Sequence, residues 1–267
     1  MNTIDIVPTF TYNFAKQMVY PNRYIICALF SIAIMYMTIS KYTIYGERCS
    51  GTNYLENLIT INFEIEHTNI YGHKHFFGFD QEKLTNSNDT LFICIVRKIQ
   101  PWMNSFFNDK HQLQLKYIDG LTKQDQKERF LNSEILSLYD GPNIVSPRQE
   151  IITDRNLYTG KRYKNIFELR HTKNKYLIDD LPNLVKNYCF IRYEDLINDF
   201  DSTMNKMKQF GLCIKPNIIF PQNTNQYKNE PNSDFRNNPP KPVCISNCEI
   251  TEHPDYNPYY ENKMYKV

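Results

Sequence analysis

The sequence predicts an α/β fold in which a central parallel sheet is flanked by helices, and three observations carry that expectation. Short apolar runs at 43–46, 91–96 and 188–193 alternate with amphipathic stretches, the order of elements that a parallel sheet needs. The strand-like runs pass through polar turns into helix-like segments, as in repeated strand-turn-helix units. At 267 residues, with 41% hydrophobic, 14% aromatic and 22% charged side chains, the chain has the composition of a globular protein and enough material for a core. Disorder as the default state, a collagen-like chain and a disulfide-dense miniprotein are excluded.

Along the chain, residues 1–23 read as an N-terminal tail. Residues 24–40 (YIICALFSIAIMYMTIS) carry no charge and are bracketed by Arg23 and Lys41; roughly 17 apolar residues sit at the short edge of what spans a bilayer. No small-x-small cleavage site follows, so the segment is expected to be an uncleaved transmembrane anchor rather than a secretory signal. A mean hydropathy of -0.56 excludes a polytopic membrane protein. The first strand is expected at 43–46 and the first helix at 53–61. A second strand at 91–96 leads through Pro101, at a plausible helix start, into the helix-like PWMNSFF. An amphipathic helix follows at 124–139, ended by Asp140, Gly141 and Pro142. A third strand at 188–193 precedes a helix at 195–210 that Gly211 closes. The folded domain is therefore expected at 41–215. Residues 216–267, rich in Asn and Pro, read as an irregular tail packed on it. There is no internal repeat.

Charge and cysteines exclude further classes. Lys and Arg number 31 against 29 Asp and Glu, a net charge of +2 with His neutral, which leaves no field to hold nucleic acid. The seven cysteines are an odd, scattered set rather than a disulfide framework. Cys94 and Cys189 fall in strand-like runs as small buried hydrophobes. Cys244, Cys248 and His253 have loose metal-like spacing but no fourth ligand, so no metal site is expected there; a local disulfide is the alternative in an oxidising compartment.

The chemistry concentrates at two strand-to-helix turns. Between the first strand and helix, Gly46-Glu47-Arg48-Cys49-Ser50-Gly51-Thr52-Asn53 can present backbone N–H groups and a helix N-terminus to a phosphate. The spacing of Gly46 and Gly51 is that of a Walker A loop, but Thr52 and Asn53 stand where Gly-Lys-Ser/Thr is required, which disfavours a P-loop nucleotide kinase. At the second turn, Arg97 ends a strand and Ser105 lies two turns into the next helix, a guanidinium and a hydroxyl able to clamp another phosphate. Two such turns in one sheet imply a ligand with two separated phosphates.

Over roughly residues 42 to 210 these motifs, in this order, resemble the sulfotransferase family that uses 3′-phosphoadenosine-5′-phosphosulfate (PAPS). Cys49-Ser50-Gly51-Thr52-Asn53-Tyr54-Leu55 is similar to its 5′-phosphosulfate loop. Arg97 with Ser105 matches its 3′-phosphate motif, and Tyr193-Glu194-Asp195 a late Tyr-Glu-Asp motif. The resemblance implies a three-layer, P-loop-like α/β fold and PAPS as co-substrate, with no metal. Ser50, Gly51, Thr52 and Asn53 would hold the 5′-phosphate, Arg97 and Ser105 the 3′-phosphate, and Tyr54 and Tyr193 the adenine. Cys49 stands where many members carry Lys or Arg, so Arg48 would supply the catalytic cation. The acceptor's base would be His75, then His73, then Glu56, which falls one residue out of the register that relatives use. Glu194 and Asp195 read as caps of the following helix.

The acceptor would be a glycan, a small molecule or a protein tyrosine. The basic stretch Arg155, Lys161, Arg162, Lys164, Arg170, His171, Lys173 and Lys175 could recognise an anionic one. Lys228, Arg236 or Lys241 could stand in for the family's C-terminal basic motif. With the anchor, the resemblance implies a single-pass type II membrane protein with a lumenal catalytic domain, for which occupancy of the sequon Asn88-Asp89-Thr90 would be the reporter; a soluble cytoplasmic protein is the alternative. The competing function is a non-catalytic relative that binds PAPS or its desulfated product.

Overall fold

Four parallel strands form the sheet: β1 (Lys41–Tyr45), β2 (Glu66–His67), β3 (Thr90–Val96) and β4 (Asn187–Arg192), in the order β2-β1-β3-β4. Tyr45 pairs with Cys94 across β1 and β3, and Val96 with Arg192 across β3 and β4. The computed structural model describes residues 39–109, 112–114, 120–139, 149–223 and 243–265, all within the unit Ile39–Val267.

Side-chain alternation along the strands builds three layers. Tyr42, Ile44, Leu91, Ile93, Ile95, Cys189 and Ile191 point to one face, where they pack on α1 (Thr52–Asn62), α6 (Tyr193–Asn198) and α7 (Phe200–Gln209). Tyr45, Phe92, Cys94 and Val96 point to the other. There α4 (Ile166–Lys175) runs through a π-helical turn, Tyr176–Asp180, into α5 (Leu181–Leu184), and the turn packs beside the C-terminal helix α9 (Tyr259–Tyr265). All seven residues of β3 are buried, as a central parallel strand covered on both faces requires. A third cluster joins α2 (Ile99–Asn108), α3 (Lys123–Asn132) and α4 through Trp102, Phe106, Phe130 and Phe167, with Ile250 of α8 (Asn247–Thr251). The α/β architecture with a parallel sheet between helices is thus the one expected from the sequence.

Several local expectations are corrected. The helix expected at 124–139 stops at Asn132, because Ser133 turns extended and the following residues join bridges, Leu113 to Ser137 and Leu138 to Glu150. The helix expected at 195–210 is two, broken at Asp199, whose φ of -138° leaves the helical region. The tail expected to be irregular holds two short helices. The first starts with a capping box in which Ser246 and Glu249 satisfy each other's backbone N–H, and the second buries Tyr260 and Met264. Cys244 and Cys248 are exposed free thiols, and His253 stacks on Phe167 with centroids 4.1 Å apart.

The single-pass membrane arrangement is also corrected. Among the described residues no helix is long and apolar enough to cross a membrane. The last two residues of the apolar stretch lead into the sheet: the Ser40 N–H donates to the Asp89 carbonyl at 2.9 Å, and the Ser40 carbonyl accepts from Glu66. The expected tail at 1–23 and positions 24–38 of the expected anchor lie outside the described residues.

Candidate functional site

The strand order reverses between β1 and β3: the chain leaves β1 for β2 on one side and returns to β3 on the other. The carboxyl ends of strands flanking such a switch point are where open parallel sheets form ligand crevices. Here that place holds a cleft of about 260 Å³, lined by Arg48, Cys49, Gly51, Thr52, Asn53, Tyr54, His75, Arg97, Ser105, Asp109 and Tyr193, at the small end of ligand clefts. The fold thus gathers most of the residues singled out from both turns into one place.

The loop between β1 and α1 is shaped by close approach. A Cβ on Gly46 would lie 2.6 Å from the Ile95 carbonyl oxygen, and one on Gly51, at φ +94°, would lie 2.4 Å from the Tyr193 ring. Only glycine fits either position. Cys49 holds φ +62°, a left-handed conformation that costs a side-chain-bearing residue roughly 1–2 kcal/mol. Its neighbours hold it there: the Trp102 indole N–H donates to the Arg48 carbonyl at 2.8 Å, and Arg97 donates to the Cys49 carbonyl at 3.1 Å. Burial pushes the Cys49 thiol up to about 11, with the Asp109 carboxylate adding to the rise, so it is no thiolate at neutral pH. Gly51 caps α1 without a side-chain hydrogen bond, and no acid stands in the first turn. The N–H groups of the first turn have no carbonyl acceptor within the helix, and Gly51, Thr52, Asn53 and Tyr54 line the cleft, an arrangement in which a helix N-terminus can take an anion.

Arg48 borders the cleft, but its guanidinium is taken up by internal partners. It is 1% exposed and its guanidinium is engaged beneath the loop. Nε donates to Glu47 at 2.8 Å, one terminal nitrogen to Ser137 at 3.0 Å and the other to Asp154 at 2.7 Å. Lys173 completes the quartet. Its ammonium donates to Asp154 at 2.6 Å and to the His75 carbonyl at 2.8 Å, and it pairs with Glu47. Two cations thus face two carboxylates, which leaves the buried set neutral. Burial alone would raise the Glu47 carboxyl, but Lys173 and Arg48 hold it down at about 2. Removing one member would strand a buried charge, a loss of about 3–5 kcal/mol.

Arg97 is the contrasting cation. It is half-buried, and among the described residues no carboxylate pairs with it. Its Nε is buried with no hydrogen-bond partner, a state that polar groups seldom keep unless a ligand or water satisfies them. Its guanidinium lies 4.7 Å from the centroid of Tyr193, so that ring holds the cation as well as lining the cleft. Ser105 lies beside the Cys49 thiol. Glu194 does not cap its own helix: one oxygen accepts from the Lys98 N–H at 2.9 Å, at the start of α2, and the other from Tyr265 at 2.9 Å. Asp195 pairs with Arg192 at 2.7 Å.

Of the three candidate bases, His75 alone lines the cleft. Its Nδ1 lies 2.7 Å from the Gly46 carbonyl. An imidazole nitrogen beside a carbonyl must carry the proton, so Nδ1–H donates and Nε2 is left as the acceptor. Burial drives its pKa down to about 3, which keeps the ring neutral. His73 is exposed, stacks on Phe76 and accepts from the His75 N–H at 3.2 Å. Glu56 is held by Lys74 at 2.8 Å, and neither it nor His73 reaches the cleft wall. Ser50 is buried, its N–H donating to the Glu47 carbonyl. Tyr54 lines the cleft and donates to Asn223.

The basic stretch is largely engaged within the protein. Arg155 and Arg162 share Glu150, Lys164 pairs with Asp255, Arg170 with Glu261, and Lys173 joins the quartet. Lys228, Arg236 and Lys241 lie outside the described residues. Glu47, Asp154 and Asp109 are site features that sequence reasoning missed, and Lys173, read there as part of a basic stretch, belongs to the buried quartet. For Glu47 the signal was its place beside Arg48 in the loop; the others come from distant segments. Among the described residues no three His, Cys, Asp or Glu side chains are placed to hold a metal ion. The chain matches no protein-family model, no curated protein and no solved structure.

Proposed function

We propose that the cleft binds PAPS and that the protein transfers its sulfuryl group to a hydroxyl or amine acceptor. The observation that carries this reading is the pairing, in one cleft, of an uncapped α1 N-terminus with Arg97, a half-buried guanidinium that lacks a carboxylate. An anion at each point satisfies both groups, which is what a nucleotide with separated 5′ and 3′ phosphates supplies. The spacing of Gly46 and Gly51, that of a Walker A loop without its lysine, supports the reading. Tyr54 and Tyr193 offer aromatic surface for the base.

Transfer would be an in-line displacement. The acceptor oxygen forms its bond to sulfur as the bond from sulfur to the 5′-phosphate oxygen breaks. The acceptor proton passes to Nε2 of His75, whose basicity, low in the empty cleft, the negative charge of the bound phosphates would raise, and the charge left on the 5′-phosphate is met by the α1 amides. Because the Arg48 guanidinium is engaged by Glu47 and Asp154, the amides and not Arg48 would carry that charge. The test is transfer of labelled sulfuryl from PAPS to a panel of phenols, glycans and peptides by the wild-type protein and His75→Asn. Transfer that falls by about 100-fold or more in the variant fits a general base; transfer that is unchanged removes His75 from the mechanism.

The engagement of Arg48 also favours a second reading, a protein that binds the nucleotide and transfers nothing. Binding of adenosine 3′,5′-bisphosphate with no transfer to any acceptor in the panel would select it. The acceptor under the first reading would be a glycan, a small molecule or a protein tyrosine.

A further inference from the structure

We propose that Arg170 is the positioning residue that holds the two strand-to-helix turns against each other, and that Glu261 of the C-terminal helix holds Arg170. This rests on the reading of Arg97 as an anion-binding group. Arg170 is 5% exposed. Glu261 takes it with both oxygens, at 2.6 Å from Nε and 2.9 Å from a terminal nitrogen. That same nitrogen donates to the Arg97 carbonyl at 2.8 Å, which pins the end of β3 where the Arg97 side chain departs. The guanidinium carbon lies over the Trp102 ring, 4.7 Å from its centroid, and the Trp102 indole N–H donates to the Arg48 carbonyl at 2.8 Å in the first loop.

One side chain therefore reaches both turns, one by a direct hydrogen bond and the other through an aromatic ring. Arginine alone can do this, because a planar fork can be gripped by a carboxylate, donate sideways and stack at the same time. Lysine keeps the charge but has neither the fork nor the flat face. A C-terminal helix far from the cleft in sequence thereby sets the spacing between the α1 amides and Arg97, which is the spacing between two phosphates of a ligand.

The experiment uses the full-length chain, Arg170→Lys and Glu261→Gln, and reads hydrogen exchange without ligand beside a calorimetric titration with adenosine 3′,5′-bisphosphate. Exchange is expected to speed by about tenfold at 47–54 and at 97–105 in both variants, while β3 stays protected. Bisphosphate affinity is expected to fall by about tenfold in Arg170→Lys. In an Arg97→Lys background, Arg170→Lys should cause clearly less than that tenfold loss, because the part of its effect that sets the Arg97 fork against the α1 amides is already gone. Unchanged exchange at either turn overturns the proposal, as does a further full tenfold loss in the Arg97→Lys background. If the wild-type protein does not bind the bisphosphate, the nucleotide reading fails by itself and the exchange result decides the role of Arg170.

Discussion

The two strand-to-helix turns are built alike and are equipped in opposite ways. Each follows a buried parallel strand, carries an arginine near the strand's end and opens a helix. At the first, the arginine lies under the loop between Glu47 and Asp154, and the helix N-terminus is left uncapped. At the second, the helix start is served by a carboxylate, Glu194, and the arginine has no carboxylate partner among the described residues. One turn thus offers a helix N-terminus whose nearby arginine is tied up, and the other an arginine without a carboxylate beside a helix whose entering Lys98 N–H is taken by Glu194. An arginine's presence in a phosphate-like motif says little until its counter-ion is known.

The contrast breaks most sharply if the buried quartet is disturbed. Asp154→Ala should destabilise the protein by about 3–5 kcal/mol, since it leaves Arg48 and Lys173 buried with one carboxylate fewer, whereas Arg97→Met should cost no more than about 1 kcal/mol. Denaturant titrations of the two variants measure both. Gly51→Ala comes next. It forces a side chain into the left-handed region and against Tyr193, for a loss of about 2–3 kcal/mol together with loss of nucleotide binding, read by melting and by calorimetry.

The pH dependence is smaller and has a defined sign. His75 is held below its ordinary value of 6.5, down to about 3. Its contribution is therefore whole above about pH 6.5 and is lost as the pH falls toward about 3. Stability should drop by about 1–2 kcal/mol between pH 7 and 5 on this account. His75→Asn, whose amide N–H can replace Nδ1–H toward Gly46, should remove that slope. His73, exposed on one side and stacked on Phe76, is lowered in the same direction by that partial covering and by Lys74 and remains in both proteins, so their difference isolates His75. Glu47, held near 2 against an ordinary 4.5, adds a steeper loss as the pH falls from about 4.5. The smallest effect is expected for Glu194→Gln, under about 1 kcal/mol, because an amide oxygen still accepts from Lys98. What it would change is the charge at the α2 start, read as a gain in anion affinity there.

The sheet was legible because its strands are continuous apolar runs: LFICIV becomes β3 within one residue, and the 188–193 run becomes β4 shifted by one. The two-residue β2 at the edge left no such run. The helix break at Asp199 and the end of α3 at Asn132 fall at neither Gly nor Pro, the residues on which helix ends were placed from the sequence, and after Asn132 the chain joins bridges to distant segments. That Gly51, Arg97 and Ser105 meet in one cleft follows from two strand-to-helix turns that could be placed from the sequence, while His75 was picked out by the resemblance alone. The burial of Arg48 was not legible, since its partners Asp154 and Ser137 lie about a hundred residues away and carry no local sign of meeting it. The engagement of most of the basic stretch was hidden for the same reason, since its counter-charges, Glu47, Glu150, Asp154, Asp255 and Glu261, come largely from outside it.

The central claim is that the cleft binds two separated phosphates, one on the α1 amides and one on Arg97. Calorimetric titration of wild-type protein and Arg97→Met with adenosine 3′,5′-bisphosphate, adenosine 5′-monophosphate and ATP tests it most directly. The account predicts that wild-type protein binds the bisphosphate best, and that Arg97→Met weakens it by about 30-fold or more while leaving the monophosphate within about twofold. Equal affinity for the three nucleotides, or a bisphosphate affinity unmoved by Arg97→Met, would contradict it.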